Sequence, residues 1–309
     1  MPTSSPSPAP APDAGPPARL SNRLGLGLMR LMARLPLPWV RALGWALGSV
    51  LHVVATRRRR IARTNWAACF PDHSEAERDA AIRRHFVFFA QAWLDRGWLW
   101  EAPAHVVKRR LLLRGDLEAL EGQAPTVIFA PHFVGMDAGW TALTAHLSRR
   151  FCGLYAEQLN ADVDRWMAEG RQRFGNPHVV GKRQGLRALA TALREGLPLY
   201  LLPDMDHGER DAVFVPFFGV PAATLTSLPR LARLGGAQVV PVTARLVPDG
   251  YEVTVHSPWA DYPTGDVTAD TAEMNRRLEG FIAEAPEQYY WVHKRFKTRP
   301  PGAPAFYLM

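Results

Sequence analysis

The sequence predicts an α/β fold, a mostly parallel central sheet flanked by helices, with a hydrophobic N-terminal helical segment in front of it. Short apolar, β-branched runs bounded by turn residues read as strands buried on both faces, residues 125–130 foremost. Helical periodicity recurs between such runs, and that alternation is the pattern of parallel strands joined by crossover helices. With 309 residues, 47% of them hydrophobic, the chain is long enough to bury one large core plus an appendage.

Residues 1–22 are rich in Pro, Ser and Ala with little to bury, and read as a disordered leader. Residues 23–56 form a membrane-anchoring unit on this reading: two apolar runs, 24–35 and 39–56, are broken by Pro36 and Pro38 and followed by Arg57-Arg58-Arg59-Arg60. The second run has 18 residues but carries Arg41 and His52, short of a clean span of about 20 apolar residues, so an interfacial hairpin and a marginal single span both stay open. A basic block directly after the apolar run places the following domain, 57–309, on the cytoplasmic side. A buried amphipathic helix pair with a solvated arginine face is the structural alternative.

Within 57–309 the elements follow in order. Residues 61–70 are helical, and Ser74 with Glu77 makes a capping box that opens a long helix through Trp100, whose Phe and Trp side chains read as core before they read as the wall of an acyl-chain channel. Strands are expected at 125–130, 151–155, 198–203 and 238–244, and helices from Met136 and at 160–173, 185–195, 225–234 and 268–285. Residues 213–218 and 251–256 read as antiparallel or edge additions.

The most informative stretch is His132-Phe133-Val134-Gly135-Met136-Asp137, where the first strong strand hands over to a helix. Ligands collect at the carboxyl ends of strands in open α/β sheets, so a histidine and a carboxylate here stand where chemistry is usually done. Histidine can take a proton from a hydroxyl nucleophile while a carboxylate holds its tautomer. Taken alone, the spacing fits a helix N-cap beside a hydrogen-bonded histidine better than a site. Two further clusters add polar candidates: Gly170-Arg171-Gln172-Arg173 with Lys182-Arg183-Gln184-Gly185, and Pro203-Asp204-Met205-Asp206-His207-Gly208 leading to Thr224. Arginine forks onto phosphate, Asp204 at a strand end can grip Arg183 or nearby backbone, and Thr224 can cap the next helix. The last cluster, residues 285–300, interleaves aromatics and cations; it suits an anionic lipid interface or a buried Tyr-Tyr-Trp segment flanked by solvated charge.

Thirty-seven Lys and Arg against 29 Asp and Glu give a net charge of +8, which favours acidic partners. Nucleic acid is the weakest of these, because no recognisable motif accompanies the charge. Cys69 and Cys152 support neither a disulfide framework nor a zinc site.

These segments resemble the lysophospholipid acyltransferase superfamily, and within it the lipid A late acyltransferase branch, the lauroyl and myristoyl transferases of Gram-negative bacteria. The resemblance runs over roughly residues 25–300. It implies transfer of an acyl chain from acyl carrier protein to a hydroxyl of a phosphorylated glycolipid, a lipid A precursor, at the cytoplasmic face of the inner membrane, with no cofactor and no metal. His132 would be the base and Asp137 its orienting acid, although many late acyltransferases carry Glu at that position. Arg183 would bind substrate phosphate, with Lys182, Arg171 and Asp204 as further binding residues. The alternatives are an acyltransferase on another glycolipid or a lysophospholipid, and a metal-dependent phosphoesterase or hydrolase using His132, Asp137, Asp204, Asp206 and His207.

Overall fold

In the computed structural model, residues 20–181 and 185–307 are described. Four helices lead in: α1 (Leu20–Met32), α2 (Leu37–Val54), α3 (Thr56–Cys69) and α4 (Glu75–Glu101). Helix α1 begins inside the stretch expected to be leader. Pro36 stands before α2, at the position where a residue without an N–H interrupts a helix at no further loss. The capping box of α4 forms as expected, with the Glu77 amide donating to Ser74 Oγ and the Ser74 amide donating to Glu77.

The sheet is built from β1 (Leu111–Gly115), β2 (Thr126–Phe129), β3 (Cys152–Tyr155), β4 (His178–Gly181), β5 (Leu199–Leu201), β8 (Gln238–Val247) and β9 (Gly250–Val255). Their order across it is β1-β9-β8-β2-β5-β3-β4, every pair parallel except β8–β9. Residues 251–256 are therefore antiparallel to a neighbour, as expected, but not an edge: β1 lies outside them. Strands β6 (Ala212–Phe217) and β7 (Val220–Leu225) form a separate antiparallel hairpin. Crossover helices α7 (Met136–His146), α8 (Ala161–Arg171), α9 (Gly185–Arg194), α10 (Ser227–Gly235) and α11 (Val267–Glu284) complete the fold, together with the short α5 (Ala104–Arg110) and α6 (Glu118–Glu121).

Strand β2 explains why the run at 125–130 is apolar throughout. Val127 and Phe129 join one core cluster and Ile128 and Ala130 the other, so both faces of this central strand are covered. Helix α4 spans both clusters, which accounts for aromatic side chains around much of its circumference: Phe86 packs in one, Trp98 and Trp100 in the other.

Helix α2 lies docked along α4. Its Gly44 and Gly48 allow the approach, since a Cβ at Gly44 would lie 2.5 Å from Gln91 Cγ and one at Gly48 2.5 Å from Val87 Cα. Arg41, which counted against a spanning helix, points inward. It pairs with Asp95 and donates to the carbonyls of Val247 and Gly250, while Tyr251 Oη and Trp98 Nε1 also donate to Asp95. Trp39, Trp45, Val50, Val53 and Val54 are left exposed on α1–α2's outer side, with Leu24, Leu28 and Leu31. Among the described residues, α2 is the one helix long and apolar enough to cross a membrane.

Part of the arginine block is structural. Arg59 donates to the carbonyls of His52 and Val53 at the end of α2, where the helix dipole favours a cation, and Arg58 donates to Val292 O. Breaking the Arg41–Asp95 pair leaves a fully buried carboxylate without its cation. Arg41→Ala is therefore expected to destabilise the fold by about 3–5 kcal/mol, measured by urea unfolding in detergent.

Candidate active site

Strand β2 ends at Phe129, and the chain then turns through Pro131 and His132 before α7 starts at Met136. His132 Nδ1 lies 2.7 Å from Asp204 Oδ1, and the His132 backbone N–H donates to Asp204 Oδ2 at 3.0 Å. Asp204 follows β5, the parallel neighbour of β2, so two adjacent strand ends bring the pair together. Tyr289 Oη donates to Asp204 Oδ2 at 3.0 Å. Asp204 is completely buried, and burial pushes its carboxyl up. The facing His132 imidazole and the hydrogen bonds outweigh this and hold it below the ordinary aspartate value. With Asp204 ionised, the bond to Nδ1 requires the proton on that nitrogen, and in the neutral ring this puts the lone pair on Nε2.

The expected partnership of His132 with Asp137 takes a different form. Asp137 Oδ2 accepts from Arg96 Nε at 2.7 Å and Oδ1 from Arg171 Nε at 2.9 Å. Asp137 stands in the first turn of α7, and its carboxylate meets α4 and α8, which carry those arginines. Burial pushes the Asp137 carboxyl up, but the Arg171 and Arg96 guanidiniums outweigh it and hold it at about 2. The carboxylate hydrogen-bonded to the His132 ring is thus that of Asp204, while Asp137 anchors two arginines.

His132, Asp137 and Arg171 nevertheless line one pocket of about 280 Å³, together with His207 and the apolar Met136 and Leu202. Arg171 also lies over the Tyr155 ring, 5.4 Å from its centroid. Arg173, from the same cluster, donates to the carbonyls of Leu99 and Ala102 and ties α8 to α4. Lys182 and Arg183 lie outside the described residues. The carboxylates of the alternative metal set hold protein donors: Asp206 accepts from the Thr298 amide and hydroxyl and from the Gly208 amide. Among the described residues no three His, Cys, Asp or Glu side chains converge as a metal site.

The aromatic and basic C-terminal run is a buried strap and not a lipid-facing surface. Tyr289, Trp291, Arg295 and Phe296 are buried. Its backbone clamps the histidine loop: the Val134 amide donates to Gln288 O at 2.8 Å and the Tyr290 amide to His132 O at 3.0 Å. Arg295 donates to Ala223 O and to Thr224 Oγ1, so Thr224 serves the buried arginine and is not the helix cap expected; Thr226 occupies the N-cap position of α10. Two residues of the site, Arg96 and Tyr289, were not singled out from sequence. Arg96 carried a usable signal, a cation beside Asp95 inside an otherwise aromatic helix.

A mostly parallel central sheet with a histidine–carboxylate pair at adjacent strand ends beside a pocket defines an α/β protein equipped for acid–base chemistry. The chain belongs to the bacterial lipid A biosynthesis acyltransferase family, whose sequence profile matches residues 16–298, and it is an O-acyltransferase. It is 33% identical to the lipid A biosynthesis lauroyltransferase of Escherichia coli over 92% of this chain and 94% of that one. The lipid A biosynthesis palmitoleoyltransferase of the same organism is also 33% identical, over 92% and 93%. The lipid A biosynthesis myristoyltransferase is 30% identical over 90% and 87%.

The low value for Asp137 carries a pH dependence. An unfolded aspartate titrates near 3.9, so a group held at about 2 in the fold contributes stability that is complete above pH ~5 and is lost as pH falls through about 2. In acid unfolding curves, the stability gap between the native protein and Asp137→Asn is expected to be constant above pH ~5 and to shrink between pH ~4 and ~2.

Proposed function

We propose that the protein transfers a fatty acyl chain from acyl carrier protein to a hydroxyl of a phosphorylated lipid A precursor, with His132 as general base and Asp204 as its orienting carboxylate. The observation that carries this reading is the 2.7 Å bond from His132 Nδ1 to the buried Asp204 at the lip of a largely apolar pocket. The acceptor hydroxyl loses its proton to Nε2 and attacks the thioester carbonyl. Asp204 stabilises the imidazolium that forms, and the proton is then available to the leaving thiolate. The acceptor brings its own nucleophile, so no enzyme serine or cysteine is required; Cys152 is buried, and burial pushes its thiol up to about 11.

The tetrahedral oxyanion needs donors. The Val134 and Met136 amides already serve the carbonyls of Gln288 and Phe133, which narrows the backbone candidates around the helix start to Gly135 and the Asp137 turn. Asp137 contributes by holding Arg171 beside the pocket, and Arg171 and Asp204 keep roles near substrate, the first beside the pocket and the second through His132. Arg183 and Lys182, next to the start of α9, remain the proposed phosphate ligands on the strength of the family likeness.

His132→Ala is expected to lower turnover by about 10²- to 10⁴-fold in a detergent assay with acyl carrier protein thioester and lipid A precursor. Asp204→Asn is expected to fall by up to about 10⁴-fold with substrate KM little changed, because the wrong imidazole tautomer is favoured. Near-normal turnover of Asp204→Asn, with a severe defect in Asp137→Asn at neutral pH, would return the orienting role to Asp137. Transfer to a lysophospholipid instead of the lipid A precursor would move the assignment to that acceptor.

We also infer an in-plane membrane anchor at the inner membrane, with the catalytic domain facing the cytoplasm. Helix α2 is held along one side by α4, so its exposed Trp39, Trp45 and Val53 can enter the acyl boundary while the docked side stays with the domain. The native protein is expected to resist extraction by 1 M salt, whereas the triple variant Trp39→Ser, Trp45→Ser, Val53→Ser is expected to be released by salt while keeping its turnover in detergent. Salt release of the native protein would sink the anchor.

A further inference from the structure

We propose that Trp140, seated over Gly153, is the floor of the acyl-chain pocket and sets the length of chain transferred. The inference rests on the acyltransferase reading above and names the residue that gives that activity its chain specificity. The three relatives compared above bear the names of three different acyl chains at similar identity to this protein, so kinship does not supply the length.

Strand register gives the pocket a depth. His132 and Leu202 stand just past the carboxyl ends of β2 and β5 and form its rim. Tyr200, Gly153 and Val179 lie deeper and in one row, since Gly153 is the register partner of Tyr200 on one side and of Val179 on the other. All three line the pocket. Leu202 is two residues beyond Tyr200, so the row sits about 6–7 Å below the rim at ~3.3 Å per strand residue.

Trp140 closes the pocket at that level. It is one helical turn along α7 from Met136, and its ring lies so close to Gly153 that a Cβ there would be 2.8 Å from the ring's Cη2. The ring is fixed from two sides. Its Nε1 donates to Arg171 O at 2.7 Å, and it meets Tyr200 edge to face with centroids 5.3 Å apart. Tyr200 is itself held by its hydroxyl, which donates to Met136 O at 3.0 Å. A floor made of two aromatic rings, each tied by a hydrogen bond, cannot yield to an added methylene by rotating away.

The pocket volume of about 280 Å³ gives the scale. A chain that enters past His132 and Leu202 and reaches the row of Tyr200, Gly153 and Val179 meets the indole there.

The test is a competition among acyl carrier protein thioesters of 10, 12, 14 and 16 carbons, with the acylated lipid A precursor read by mass spectrometry. The full-length protein in detergent is compared with Trp140→Leu, which deepens the pocket, and with Val179→Phe, which fills it from a half-buried position in the same row. A misplaced methylene in an apolar pocket changes selectivity by about 10- to 200-fold. The ratio of 16-carbon to 12-carbon product is expected to rise at least ~10-fold in Trp140→Leu and to fall in Val179→Phe, whose optimum shifts to shorter chains. Opposite shifts support the floor, because a merely loosened fold lowers all products together. An unchanged distribution in both variants overturns it, and so does an unchanged distribution in Val179→Phe should Trp140→Leu fail to fold. Failure of the native protein to transfer any of the four chains would instead overturn the acyltransferase reading itself.

Discussion

Much of the site depends on one buried carboxylate. Asp204 takes donors from the His132 ring and backbone and from Tyr289, and so joins three segments that the parallel sheet alone leaves unrelated: the loop after β2, the end of β5 and the C-terminal strap. A fully buried charge is tolerable only when it is met by several donors, and the same donors keep it ionised. The strap then adds two backbone hydrogen bonds to the histidine loop, so the imidazole is held from its own main chain as well as from its ring. Preorganisation of this kind lets a base act without reorganising during the reaction.

Helix α4 links this centre to the hydrophobic lead-in through two consecutive residues. Successive side chains on an α-helix point about 100° apart. Asp95 faces Arg41 of α2, and Arg96 faces Asp137 of α7. The apolar outer side of α2 and the pocket are therefore held in a fixed relation by a rigid helix rather than by a linker. An enzyme whose substrates both carry hydrocarbon chains gains from this, since the pocket opening keeps one orientation relative to the surface from which the chains come.

The layered fold was legible because its signals are local. The capping box at Ser74 and Glu77, the run at 125–130 and the alternation of strands and helices after it all appear in the structure at nearly the expected residues. Strands β1 and β4 were not read; each is short, and only one residue of each is buried, so neither has the continuous apolar signature of β2. Within the site, sequence placed His132, Asp137, Arg171 and Asp204 near strand and helix ends but could not pair them. Separation along the chain pointed to Asp137 as the partner of His132, whereas the carboxylate hydrogen-bonded to the ring comes from the neighbouring strand: β5 lies beside β2, and Asp204 arrives with it. The C-terminal aromatics misled for a related reason. Tyr289 and Trp291 look like interface residues until the cavity beneath the histidine loop that they fill is known.

The net charge of +8 acquires a different meaning once the cations are located. Arg41, Arg96 and Arg171 hold carboxylates inside the fold, and Arg173 and Arg295 hold carbonyls. These cations project little field to solvent, so a count over the whole chain overstates the basic surface available to an acidic carrier or a lipid headgroup. Cations that do face water near the lead-in include Arg30 and Arg34, Arg57, Arg58 and Arg60 at the start of α3, and Arg83 and Arg84 on α4, of which Arg84 is shared with Glu287. Arg83 and Arg84 stand by the exposed apolar side of α2, lining a common groove with Trp45. Exposed apolar side chains and cations thus meet at one edge of the molecule. That coincidence, more than the total charge, is what the proposed orientation on an anionic bilayer rests on.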